Sequence, residues 1–248
     1  MVAVLKHPEI APTVPDTAID TVFEKLLADI VGGVYPAGSR LPAERELSRQ
    51  LGASRPTLRE ALRRLDEWSL VEPRRGSGIV IRPYREWSLE VIAAYLKYGK
   101  PQPGQPSIAR IIVDLLAVRR AVVLEVIRLT AARIPRHGTA GGRAAMARAW
   151  SVREQPSFAH ADFEVMRQIA EAAQFTPGMW LLNRISNLWL DAASSLRFAL
   201  RAPADYVATY TRFFDAIENK DPDGACRIMG DYLDRHDQAV ANVLGALS

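Results

Sequence analysis

Arg55, Thr57 and Arg59 stand in the run SRPTLREALRRL, and Arg75 and Gly76 follow in PRRGSG. Arg55 and Arg59 are four residues apart, so on a helix they share one face near its start. A guanidinium fork donates two parallel hydrogen bonds to a guanine edge or a phosphate, and a threonine hydroxyl reaches either. A glycine beside two arginines lets backbone and charge come close to a phosphate or a minor groove. Residues of these types at this spacing point to nucleic-acid recognition.

The flanking sequence supplies the elements that must position them. Ser54 is a good N-cap and Pro56 suits a first turn. Leu58, Ala61, Leu62 and Leu65 fall at i, i+3, i+4, i+7, which turns Arg55, Thr57, Arg59 and Arg63 away from a core. A shorter helix precedes, opened by Arg45 and Glu46, with Leu47 and Leu51 inside and Gly52 as a left-handed stop. Two strand-like runs follow, Leu70–Glu72 and Ile79–Arg82, joined by Arg74, Arg75, Gly76, Ser77 and Gly78. Helix, turn, arginine-rich helix and basic hairpin in this order form a winged helix-turn-helix, whose second helix enters the major groove N-terminus first. The plainer alternative, a helical hairpin with a solvated arginine face, explains the arginines but not the order.

The 248 residues carry a net charge of +4, and the basic excess is concentrated in Ser39–Arg85, as expected of a phosphate-facing domain on a nearly neutral body. No apolar run is long enough to span a bilayer, and residues 1–16 lack the apolar core of a signal peptide. They are expected to form a loose arm. The single cysteine, Cys226, excludes an internal disulfide and fits a reducing, cytoplasmic compartment; its plainest role is that of a small buried hydrophobe.

Thr17 and Asp20 resemble a capping box, and Ile19, Val22, Phe23, Leu26, Leu27 and Ile30 form a stripe that ends at Gly32 and Gly33. Residues 17–85 are therefore expected to form the winged helix-turn-helix. Residues 86–106 are expected to hold a short amphipathic helix over Trp87–Tyr98 and a proline-rich linker. Residues 107–248 read as helical throughout, near Ser107–Ile134, Gly141–Glu154, Ser157–Gln174, Pro177–Leu200, Ala204–Asn219 and Pro222–Leu244. The fold class is mainly α with a small β wing: a winged helix-turn-helix followed by an antiparallel helical bundle, whose core can hold a ligand.

Polar residues interrupt the bundle's apolar stripes. Arg119 falls among Ile108, Ile111, Ile112, Leu115, Val122, Val123 and Val126, and Asp162 among Phe158, Val165, Met166 and Ile169. A charge there must be paired or must bind a counter-ion, and the plain alternative is that the two pair with each other. Tyr210 shares a stripe with Val207, Phe214 and Ile217, and Tyr232 and His236 share one with Ala225, Met229 and Val240. Ordinary core packing is the alternative for both tyrosines.

LPAERELSRQLGASRPTLREALRRL, followed by LVEPRRGSG, resembles the DNA-binding domain of the GntR superfamily of bacterial regulators. The resemblance implies contacts to a palindromic duplex operator from Arg45, Ser54, Arg55, Thr57, Arg59, Arg75 and Gly76, made by a homodimer with no membrane partner. Two positions depart from it. Ala43 replaces a common Ser or Thr cap, so a cap from elsewhere is expected. Ser69 replaces a usual glycine, so a different turn is expected.

The helical region resembles the FadR-type effector domain of that superfamily. Most members bind a divalent metal through an Asp and three His. By pattern these positions fall on Asp162, Met166, Tyr210 and Tyr232, so no metal and no other cofactor are expected. The fatty-acid metabolism regulators form a branch that also lacks these histidines, and LLAVRRAVVLEVIRLTAARIP and ADFEVMRQIA resemble it most. That implies a long-chain acyl-CoA effector near Arg119, Asp162, Met166, Tyr210 and Tyr232. The competing reading is a regulator sensing a small organic acid without metal: an acyl chain needs a long tunnel, whereas an acid needs a compact pocket with convergent donors. No nucleophile–base set or phosphate loop appears, so an enzyme is not expected.

Overall fold

The computed structural model describes residues 17–76, 78–100, 106–135, 137–195 and 202–245. The expected arm over residues 1–16 lies outside them, as do most of the proline-rich linker and the end of the helix expected to reach Leu200. The chain divides into two compact units, residues 17–94 with 98–100 and residues 95–97 with 106–245.

The N-terminal unit begins with α1 (Ala18–Val31). Thr17 and Asp20 close a reciprocal capping box at its start, and Gly32 with Gly33 (φ 80°) ends it. Its stripe packs on α3 (Arg55–Glu67) through Leu58, Ala61, Leu62 and Leu65, all buried. Phe23 meets Trp68 edge to face at 5.0 Å, and Arg64 ties α3 to Asp20 at 2.7 Å. The Thr17 hydroxyl, Arg64 and the Thr17 backbone hold the Asp20 carboxyl down at about 2. α2 (Glu44–Leu51) precedes α3 in the chain and packs on it, and Gly52 ends α2 with a left-handed stop at φ 61°.

β1 (Val71–Arg74) and β2 (Gly78–Ile81) pair antiparallel. Residues 39–41 add bonds on the far side of β2, Leu41 N–H to the Ile79 carbonyl and Ile81 N–H to the Ser39 carbonyl, each 2.9 Å. β1 is thus an edge, which tolerates Pro73 and its missing N–H.

Four local expectations are corrected. Arg74 and Gly78 are not in the loop but pair across the hairpin. No side chain caps α2 at Ala43; the acids of its first turn, Glu44 and Glu46, face its positive end instead. Ser69 keeps the left-handed turn at φ 57°, with its N–H on the Asp66 carbonyl. Finally, Trp87–Tyr98 is not one helix. Two 3-10 turns, Tyr84–Glu86 and Leu89–Val91, precede α4 (Ile92–Tyr98). The indole N–H of Trp87 donates to the Arg82 carbonyl and Ser88 N–H to the Trp68 carbonyl, which holds that stretch extended.

The C-terminal unit is a bundle of α5 (Ile108–Arg133), α6 (Ala140–Ser151), α7 (Phe158–Ala172), α8 (Thr176–Ser195), α9 (Tyr206–Glu218) and α10 (Pro222–Gly245). Ser107 caps α5 on the Arg110 N–H. α5 packs along α10 and touches α7, α8 and α9, so it runs through the centre. Among the described residues no helix is long and apolar enough to cross a membrane.

Candidate nucleic-acid interface and bundle cavity

The Ser54 hydroxyl accepts from Thr57 N–H at 3.2 Å and lies 2.7 Å from the Thr57 hydroxyl. This cap fixes the first turn of α3, where Arg55 and Arg59 project one turn apart. Arg45, Ser54, Arg55, Arg59, Arg75 and Gly76 are exposed, and Thr57 is half-buried. Gly76 at the wing tip has φ 71° and open space where a Cβ would stand.

Pairing divides the arginines of this unit. Arg63 is held by Glu60 and Glu67, Arg64 by Asp20, Arg74 by Glu72 and Arg82 by Asp66 and Glu86. Among the described residues no acid lies within ion-pair distance of Arg45, Arg55 or Arg75, nor of the exposed Arg40 and Arg49. Arg59 is intermediate: its Nε donates to Glu44 at 2.8 Å. An exposed guanidinium without an acid keeps all its donors for an incoming phosphate or base edge.

In the bundle, Arg119, Asp162, Met166, Tyr210 and Tyr232 line one small cavity of about 50 Å³, otherwise walled mainly by apolar side chains such as Phe158 and Trp189. Arg119 is 4% exposed, deep enough that its charge needs compensation. Its partner is not Asp162. A guanidinium Nη donates to Asp237 of α10, and the group lies 4.7 Å from the Trp189 ring centre. Its Nε–H is buried and has no partner among the described residues. Burial pulls its pKa down, against the pull of Asp237 and then Asp162.

Asp162 instead accepts the hydroxyls of Tyr206 at 2.9 Å and Tyr210 at 2.7 Å on one oxygen. Burial raises the Asp162 carboxyl, while those two hydrogen bonds, His236 and Arg119 hold it back. Burial and the charge of Asp162 drive Tyr206, Tyr210 and Tyr232 upward, so all three are neutral phenols. His236 lines the same cavity, with Nδ1 3.4 Å from Asp237 and its ring against Trp189.

This donor set does not fit a divalent metal. One Asp162 oxygen already receives two hydroxyls, neutral phenols are poor ligands, and a thioether is soft. Among the described residues no group of three or more His, Cys, Asp and Glu stands together in a way that would hold a metal ion.

Tyr206, Asp237 and Trp189 were not singled out in the sequence. Asp237 follows buried Leu233 by four residues, and Tyr206 precedes Tyr210 by four, so helical spacing alone would have flagged both. Tyr206 is fully buried where Val207 was expected on the stripe. Val207 only packs against the core from a partly buried position.

Comparison with known proteins places both units. Residues 18–81 match the model of the bacterial regulatory proteins of the gntR family, and residues 114–235 match the FCD domain. The chain is 31% identical over 171 residues to a fatty acid metabolism regulator protein of Pectobacterium carotovorum, covering 67% of each protein. It is 35% identical over 159 residues to an uncharacterized HTH-type transcriptional regulator of Mycobacterium tuberculosis. That match covers 63% of this chain and spans 59% of the relative's length. The solved structure of Lar, which controls the expression of the Listeria monocytogenes agr system, superposes with a TM-score of 0.60 at 15% identity. It covers 94% of this chain and 100% of Lar, and shows a shared fold. These relatives are transcriptional regulators, not enzymes. The chain belongs to the GntR family of bacterial regulatory proteins, as a FadR-type member with a C-terminal FCD domain.

Proposed function

We propose that this chain is a cytoplasmic transcriptional regulator that binds duplex DNA through residues 17–85. Residues 107–248 then serve for dimerisation and effector binding. The observation that carries the DNA reading is that Arg45, Arg55 and Arg75 are exposed with no acid at ion-pair distance among the described residues, Arg55 standing in the capped first turn of α3. Two copies on a twofold axis would read a short palindrome, with Arg45, Ser54, Arg55, Thr57, Arg59, Arg75 and Gly76 at the interface.

The effector is a carboxyl- or acyl-bearing molecule in the bundle cavity, bound without metal. The unpartnered Nε–H of Arg119 is a buried donor that a carboxylate or thioester oxygen would satisfy. A long-chain acyl-CoA is the first reading. It is supported by the apolar walls and by the likeness to a relative named for fatty acid metabolism. A cavity of about 50 Å³ favours the second, a small organic acid, because drug-sized ligands need roughly 300 Å³ or more. An acyl chain would have to part α5, α8 and α10, and its affinity would rise by about 0.8 kcal/mol per buried methylene.

The experiment is release of bound operator by acyl-CoAs of increasing length, beside free CoA and small dicarboxylates. Release that strengthens with chain length supports the acyl reading. Release by a small acid alone establishes the second. In either case elemental analysis of the purified protein should find no stoichiometric zinc, nickel or manganese.

A further inference from the structure

Glu44 is the first residue of α2, and Arg59 stands fifteen positions later on the second turn of α3. Glu44 Oε2 accepts from Arg59 Nε at 2.8 Å. The side chains are 40% and 69% exposed, so the pair contributes little to stability. Its effect is on conformation. Free arginines sample many rotamers and must be ordered when they bind, whereas Arg59 is already fixed by one nitrogen. The contact is made through Nε, and among the described residues no hydrogen bond engages the two terminal nitrogens. Those are the atoms that can still form a fork to a base edge.

Glu44 also carries a cost that a purely structural acid would avoid. It places a negative charge on the face that meets phosphates, which weakens attraction to any duplex irrespective of sequence. An acid there lowers binding to every duplex alike, which leaves the ratio of specific to non-specific affinity unchanged, and it orients one reader, which raises that ratio.

We propose that Glu44 is a positioning residue for sequence discrimination, holding Arg59 in its reading orientation; this rests on the DNA-binding reading above. The competing role is local: an acid in the first turn of α2 interacts favourably with the helix dipole where Ala43 provides no cap.

The test uses the full chain and an operator selected by the wild-type protein from a random-sequence duplex pool, with a scrambled duplex as the non-specific probe. Glu44→Ala should lower the ratio of operator to scrambled affinity by about fivefold or more, the lower end of one bidentate base contact. Affinity for the scrambled duplex should hold or rise. Glu44→Gln keeps an acceptor for Nε and should retain most of the ratio. In an Arg59→Ala background, Glu44→Ala should no longer lower the ratio. An unchanged ratio, a ratio loss that persists without Arg59, or equal loss on both duplexes with a lowered Tm would each overturn the proposal. If wild-type protein enriches no sequence from the pool, the DNA-binding reading fails with it. If it enriches an operator and Glu44→Ala discriminates as well as wild type, only the proposal fails.

Discussion

Arg119 and Asp237 form an ion pair between α5 and α10, and Asp162, on α7, is satisfied by two tyrosine hydroxyls instead. The two charges therefore belong to separate clusters lining one cavity. The Arg119 side chain is 5% exposed, so leaving it without a counter-ion would be costly.

Removing the acid alone should be costly. Asp237→Ala leaves a buried cation without its counter-ion, and denaturant unfolding should show a loss of about 3 kcal/mol. Replacing both partners, Arg119→Met with Asp237→Leu, should recover most of it, because an apolar pair carries no desolvation penalty. A loss in Asp237→Ala within a few tenths of a kcal/mol would show that another group compensates Arg119.

Asp162 makes a pH-dependent prediction. Burial raises its folded pKa above the ordinary 3.8, so the native state holds this proton at a pH where the unfolded chain has released it. Its contribution to stability is fullest below the unfolded value and falls as pH rises through the folded one. Asp162→Asn keeps an acceptor for Tyr206 and Tyr210 and removes that fall. Its Tm should exceed wild type at neutral pH, with the gap closing towards pH 3.8. Asp162→Ala should lose about 2 kcal/mol, since two buried hydroxyls lose their acceptor. A constant difference between Asp162→Asn and wild type across the titration would contradict the assigned shift.

Ser69 holds φ 57° between α3 and β1. The left-handed region costs a residue with a Cβ roughly 1–2 kcal/mol, and glycine escapes that at some cost in unfolded-chain entropy. Ser69→Gly should therefore stabilise the N-terminal unit by about 0.5–1 kcal/mol in urea unfolding. A decrease would mean that the serine side chain has a compensating role.

The winged helix was legible because its signals are local. Capping at Thr17 and Ser54, the stop at Gly52 and the stripe Leu58, Ala61, Leu62, Leu65 each depend on residues a few positions apart. The bundle was legible as helices, and Arg119 as a charge on an apolar face, for the same reason. The partners within the cavity were harder. Arg119 and Asp237 lie 118 positions apart, and helical periodicity cannot decide which of several acids faces a given cation. Trp87–Tyr98 failed differently. Its periodicity was sound, but hydrogen bonds from Trp87 and Ser88 to backbone outside the segment outweighed helix formation.

In the proposed function α3 reads DNA with the arginines of its first two turns. The direct measurement is the affinity of full-length protein for a duplex it has selected from a random pool, for wild type beside Arg55→Ala and Arg59→Ala. Each substitution should weaken the selected duplex by about 1–3 kcal/mol and relax sequence preference at particular base pairs, with much less change on a scrambled duplex. Wild-type affinity and unaltered preference in both variants would contradict this account of the recognition helix.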